Sequence, residues 1–226
     1  MERLRAPMAP RVPSNLTHSA LRGIHMNANS TGAPTSHCLP LRPGTRQKYI
    51  EKNSGERLSL EVDEVSPHVI ELRMQQPHNK LGKLRIALGQ PVAGALNLNP
   101  LTLTTVDTGT GLVLTFGQEG LKLPLHLLTG DTIQVQPVEA NPATGNRMHL
   151  IVRVKEMIEM TLNPGTQIDT PVDVLKCNLT IKDAGLGTVL ANTDVWLSPG
   201  LGLVKSNGQA FGVFSVLDLV ETHLPV

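Results

Sequence analysis

The sequence predicts an all-β chain, mainly antiparallel and with little helix, and three observations carry that expectation. Apolar residues alternate with polar ones at period two in segment after segment. Turn-forming residues punctuate these segments at spacings of about 8–12 residues. The 20 glycines and 17 prolines among 226 residues favour many turns over long helices.

Residues 1–37 carry Pro7, Pro10, Pro13 and Pro34 among Ser, Thr, Asn and Gly without periodicity, and are expected to form a disordered leader. A single antiparallel β domain is expected over 38–226. Leu58, Leu60 and Val62 alternate with Ser59, Glu61 and Asp63, which is the pattern of a strand with one wet face. Ile70, Leu72 and Met74 repeat it, as do Leu84, Ile86 and Leu88; Leu112, Leu114 and Phe116 do so less cleanly. Ile133 and Val135 alternate with Gln134 and Gln136, Leu150, Val152 and Val154 oppose Ile151, Arg153 and Lys155, and Leu175, Cys177, Leu179 and Ile181 oppose Lys176, Asn178, Thr180 and Lys182. Half-buried antiparallel strands read this way. The one segment with helical potential is LKLPLHLL at 121–128, which Pro124 weakens. No internal repeat suggests a solenoid or propeller.

The 20 basic and 19 acidic residues leave no overall field, so nucleic acid is a poor partner. Only Tyr49, Phe116, Trp196, Phe211 and Phe214 are aromatic; the core must be built of Leu, Val and Ile. Arg3, Arg5 and Arg11 make the start basic, yet no apolar run of signal-peptide length follows, and no transmembrane helix is expected. Cys38 and Cys177 can pair in an oxidising compartment or stay apart as thiols; the preferred reading is a buried, inert Cys177 and an exposed Cys38.

Two stretches resemble sites of chemistry. PGLGLVKS at 199–206 looks like a phosphate loop, but Lys205 follows Val204 instead of glycine and the next segment is rich in β-formers, so the helix that would complete an anion site is missing. The expected structure is a strand over 189–197, a turn at Ser198-Pro199-Gly200, a short strand, and a hairpin turn at Asn207-Gly208 leading into 211–220. Gly200 and Gly202 then serve backbone geometry and Lys205 is a solvated strand residue. DTGT at 107–110 resembles an aspartic-protease loop, but such enzymes need two carboxylates sharing a proton; Asp107 would have to meet its copy in a homodimer, and a hairpin turn is the preferred reading. The eight histidines form no metal-binding spacing, and His37-Cys38 alone falls short of the four ligands of a structural zinc site. The sequons at Asn15, Asn29 and Asn178 carry meaning only in a eukaryotic secretory chain. No catalytic, cofactor-binding or metal-binding residue is assigned.

CLPLRPGTRQKYI at 38–50, LKLPLHLLTGDTIQV at 121–135 and VWLSPGLGLVKSNGQ at 195–209, followed by LDLVE at 217–221, together resemble the bacterial TapB-like group of domains of unknown function. The resemblance spans about 38–221 and departs at Gln47, where the group carries an aromatic. It implies a strongly curved sheet or half-barrel, lipoprotein-carrier-like, in the bacterial periplasm or cell envelope. Its concave apolar face would hold a lipid, another apolar ligand or a partner's segment. The expected function is therefore non-enzymatic binding. The alternatives are an interaction module acting by its surface or sheet edge, with Lys176, Lys182 and Lys205 protecting edges, and the Asp107 protease.

Overall fold

The computed structural model describes residues 32–34, 38–39, 41–75, 81–96, 101–107, 113–116, 119–123, 126–140, 146–209 and 216–225. Apart from Gly32–Pro34, the segment 1–37 lies outside them. In chain order the strands are β1 (Gly32–Pro34), β2 (Arg46–Glu51), β3 (Arg57–Ser66), β4 (Val69–Gln75), β5 (Leu81–Leu88), β6 (Leu101–Asp107), β7 (Val113–Thr115), β8 (Leu121–Leu123), β9 (His126–Leu128), β10 (Thr132–Ala140), β11 (Asn146–Met160), β12 (Val172–Asp183), β13 (Val189–Ser198), β14 (Gly202–Gln209) and β15 (Leu217–His223). Among the described residues helix is confined to one turn, α1 (Val92–Ala95), and a 3-10 turn at Pro164–Thr166. The all-β, antiparallel class expected from the alternation is the class observed.

Thirteen strands form one sheet, in the order β5-β4-β3-β2-β15-β14-β13-β12-β11-β10-β7-β6-β8. The sheet curves until its ends meet, because β5 also pairs with β6, from Arg85 opposite Asp107 to Leu88 opposite Leu103. On the other edge of β6, β7 takes Thr105–Asp107 and β8 takes Leu101–Leu103. The sheet stays open along one seam. β7 holds β10 by only two residue pairs, Thr115 with Glu139 and Leu114 with Ala140, and among the described residues no pairing joins β8 to β10. β9, which lies between them in sequence, leaves the sheet and pairs with β1 instead.

The alternation sets what lies on each side. Leu58, Leu60 and Val62 of β3, Ile70, Leu72 and Met74 of β4, and Ile86 and Leu88 of β5 are buried in one cluster with Leu217 and Leu219 of β15 and with Val92 and Ala95 of α1. The intervening residues form charge rows across neighbouring strands. One runs His223, Arg46, Glu61, Arg73, Lys83, and another Asp63, Glu71, Arg85, Asp107. Arg46 Nε lies 2.8 Å from Glu61 Oε1, Arg85 Nε 2.6 Å from Glu71 Oε2, and Arg73 bridges Asp63. Farther round, Lys155 pairs with Asp194 at 2.8 Å and Lys176 with Glu156 at 3.0 Å. A lipid-facing barrel carries an apolar band on its outside; this outer face is one for water. No helix among the described residues is long and apolar enough to cross a membrane.

Three expectations need correction. Residues 121–123 and 126–128 are strands, not helix: Leu121 and Leu123 flank Lys122 at strand period and pair with Leu103 and Leu101, and Pro124 follows directly. Asn207-Gly208 is no turn either. Asn207 pairs with Asp194 and Gly208 with Thr193, inside β14. Glycine is required there by close approach, since a Cβ on Gly208 would lie 2.7 Å from the Asn192 carbonyl oxygen. Finally, Lys176 and Lys182 on β12 and Lys205 on β14 are not at an edge, because both strands are paired on either side.

Candidate functional site

With almost no aromatic residues, a ring this wide cannot be filled by Leu and Val alone. A cavity of about 270 Å³ remains inside. One wall comes from Leu60, Leu72, Met74, Leu84 and Ile86 on β3 to β5. The opposite wall comes from Ile133, Val152, Cys177, Leu179, Val195, Leu197 and Leu203 on β10 to β14. Leu123 of β8, Leu127 of β9, and the Cys38-Leu39 segment complete it beside the open seam. Every lining residue is apolar or a cysteine. Such a space excludes water, which needs two to four polar partners, and suits a hydrocarbon.

A polar tie that sequence reading missed reaches the backbone of Leu203, one of the cavity's lining residues. Gln47, 1 % exposed, donates from Nε2 to the Leu201 carbonyl at 2.6 Å. The Tyr49 hydroxyl lies 2.8 Å from Gln47 Oε1 and 2.9 Å from the Leu203 carbonyl, so its one proton is shared between two acceptors. Burial pushes the Tyr49 hydroxyl far above its ordinary pKa, so it stays a donor. Gln47, the departure from the family pattern, thus joins β2 to the turn before β14. Two of the three quoted motifs meet here.

That turn behaves as expected from the sequence. The Leu201 amide donates to the Ser198 carbonyl at 3.1 Å, and Gly200 and Gly202 take φ of 83° and 80°. Lys205 is on a strand, 5.0 Å from the centre of the Trp196 ring, with Lys176 at 5.6 Å from the same ring. Lys205 and Ser206 continue as strand to Gln209, and no helix follows among the described residues; 210–215 lie outside them. Asp107 ends β6 opposite Arg85 and Val113, as the last member of a charge row; residues 108–110 of the DTGT stretch lie outside the described residues, as do His37, Asn15 and Asn29. Among the described residues no group of three His, Cys, Asp or Glu could hold a metal.

Cys38, expected at the surface, is 0 % exposed, as is Cys177. Both belong to one buried cluster with Leu127, Val154 and Leu175. β1 pairs antiparallel with β9, and Leu127 of β9 shares this cluster with Cys38. Burial first, and the Cys177 charge second, push the Cys38 thiol up to about 12; burial pushes Cys177 up to about 11.

No protein-family model matches the chain, and no curated protein does. Among solved structures, the chain is similar to a candidate lipoprotein from Parabacteroides distasonis, at 13 % identity and a TM-score of 0.45, covering 86 % of this chain and 100 % of that one. It is also similar to a candidate exported protein with YmcC-like fold from Bacteroides fragilis, at 12 % identity and a TM-score of 0.36, covering 85 % and 99 %.

Proposed function

We propose that this chain is a non-enzymatic β domain of the bacterial envelope that takes an aliphatic chain into its interior. The observation that supports the ligand is the wholly apolar lining of a cavity of about 270 Å³. An engineered apolar cavity of ~150 Å³ already stays dry and accepts benzene, so the space here suits a short acyl segment. Each methylene moved from water into it contributes about 0.8 kcal/mol. The seam beside β8 supplies the way in, because among the described residues no backbone pairing joins β8 to β10. The envelope location rests on the TapB-like motifs at 38–50, 121–135 and 195–209.

The test is calorimetric titration of the full chain with decanoate, alongside Val152→Phe and Leu84→Phe, which fill the cavity from opposite walls. The expected result is binding by the parent chain and at least about tenfold weaker binding by either folded variant, which corresponds to about 1.4 kcal/mol. No heat with the parent chain, or unchanged affinity in both variants, would overturn the reading.

A further inference from the structure

The chain has two cysteines, far apart in sequence, and the fold brings both into the same buried cluster and the lining of the same cavity. Cys177 is fixed in the middle of β12, between Val154 on β11 and Val195 on β13. Cys38 lies outside any strand among the described residues. It follows β1, which pairs with the three residues of β9. β9 is anchored to β11 by the turn after it, where the Gly130 amide donates to the Val154 carbonyl at 2.9 Å, and Cys38 and Leu127 share the interior cluster with Cys177.

We propose that Cys38 and Cys177 are a disulfide-forming pair, whose bond ties the segment after β1 to β12 in the wall of the cavity. The oxidant is a disulfide, small or protein-borne. One cysteine thiolate attacks it, forming a mixed disulfide and releasing one donor thiol; the second thiolate then attacks the protein sulfur of that mixed disulfide and releases the other donor thiol. Two electrons pass to the donor disulfide, which becomes two thiols, and the Cys38 Sγ–Cys177 Sγ bond replaces it. The thiolate is the attacking species, and both thiols are pushed up by burial in the folded chain. The bond therefore forms during folding, before the shared cluster is buried, and is shielded from reductants afterwards.

The experiment refolds the full chain from denaturant in a buffer of reduced and oxidised glutathione, then unfolds it again with an alkylating reagent present and measures intact mass. A bridged chain is about 2 Da lighter than the reduced one and takes up no reagent, and digestion yields one peptide pair joining Cys38 to Cys177. Its thermal midpoint is expected roughly 5–15 °C above that of the reduced chain, a difference abolished in Cys38→Ser and in Cys177→Ser. Two alkylated thiols after oxidative refolding, glutathione adducts on both, or bonds only between chains would overturn the proposal. None of these readouts depends on whether the cavity takes an acyl chain.

Discussion

Tyr49 and Gln47 show how much a buried polar group decides in a core made mostly of aliphatic residues. Tyr49→Phe keeps the ring and removes the only donor reaching the Leu203 carbonyl from β2. Leaving that carbonyl and Gln47 Oε1 without the hydroxyl is expected to lower stability by about 1–3 kcal/mol, read from chemical denaturation; an unchanged midpoint would show the tie to be idle. Glu71 makes the complementary case on the outer face. Its side chain is 8 % exposed, and the hydrogen bond from Arg85, with the Lys83 charge nearby, holds its carboxyl below the usual range despite the opposing effect of burial. A carboxyl lowered in the folded state stabilises it above the unfolded pKa, and that contribution fades as pH falls through the folded value. Glu71→Gln is therefore expected to be less stable than the parent chain at pH 7, with the gap narrowing between about pH 5 and pH 2. A gap that stays constant over that range would count against it.

At the scale of elements, strands were legible wherever one face was dry and the other wet. β3 and β5 follow the alternation nearly residue by residue over Leu58–Asp63 and Lys83–Leu88, because water on one side and packing on the other leave no other period; in β12 Val174 and Leu175 are both buried, as are Thr180 and Ile181, and in β11 Ile151 is more buried than Leu150 or Val152. The sequence was opaque where a local signal had two meanings. Asn-Gly at 207–208 is also a strong hairpin signal, and only the nearness of the β13 backbone explains why glycine stands inside a strand. Gly208→Ala is expected to cost about 1–3 kcal/mol, with the loss appearing as faster amide exchange along Asn192–Val195. Exchange spread evenly over the sheet would argue against a local clash. The buried position of Cys38 was equally invisible, since it depends on β1 pairing with β9 across a long stretch of sequence.

For the whole molecule, the sequence suggested curvature only through its family resemblance, and nothing in it showed that the two ends of the sheet would meet. Meeting depends on long-range pairs: β2 with β15, and β5 with β6. β15 lies between β14 and β2, and the 3-10 turn at Pro164–Thr166 packs against it, with Gly165 too close to the Val220 carbonyl to admit a Cβ. A chain ending before Leu217 loses the strand that joins the two walls of the cavity. It is expected to lack a single cooperative thermal transition, and a sharp one in the truncated chain would show that each wall folds alone. The cavity was legible only as a shortage: with five aromatic residues in the chain, no side chain was large enough to fill a wide interior.

That same shortage leaves one indole in the chain. Trp196 is 9 % exposed, flanked by two ammonium groups, and next in sequence to Val195 and Leu197 of the cavity wall. Its emission is consequently a built-in optical gauge of the buried cluster that Trp196 shares with Leu60 of β3, Leu72 of β4 and Leu203 of β14. Unfolding followed by this one signal reports the joint between the two walls, with no second indole to blur it.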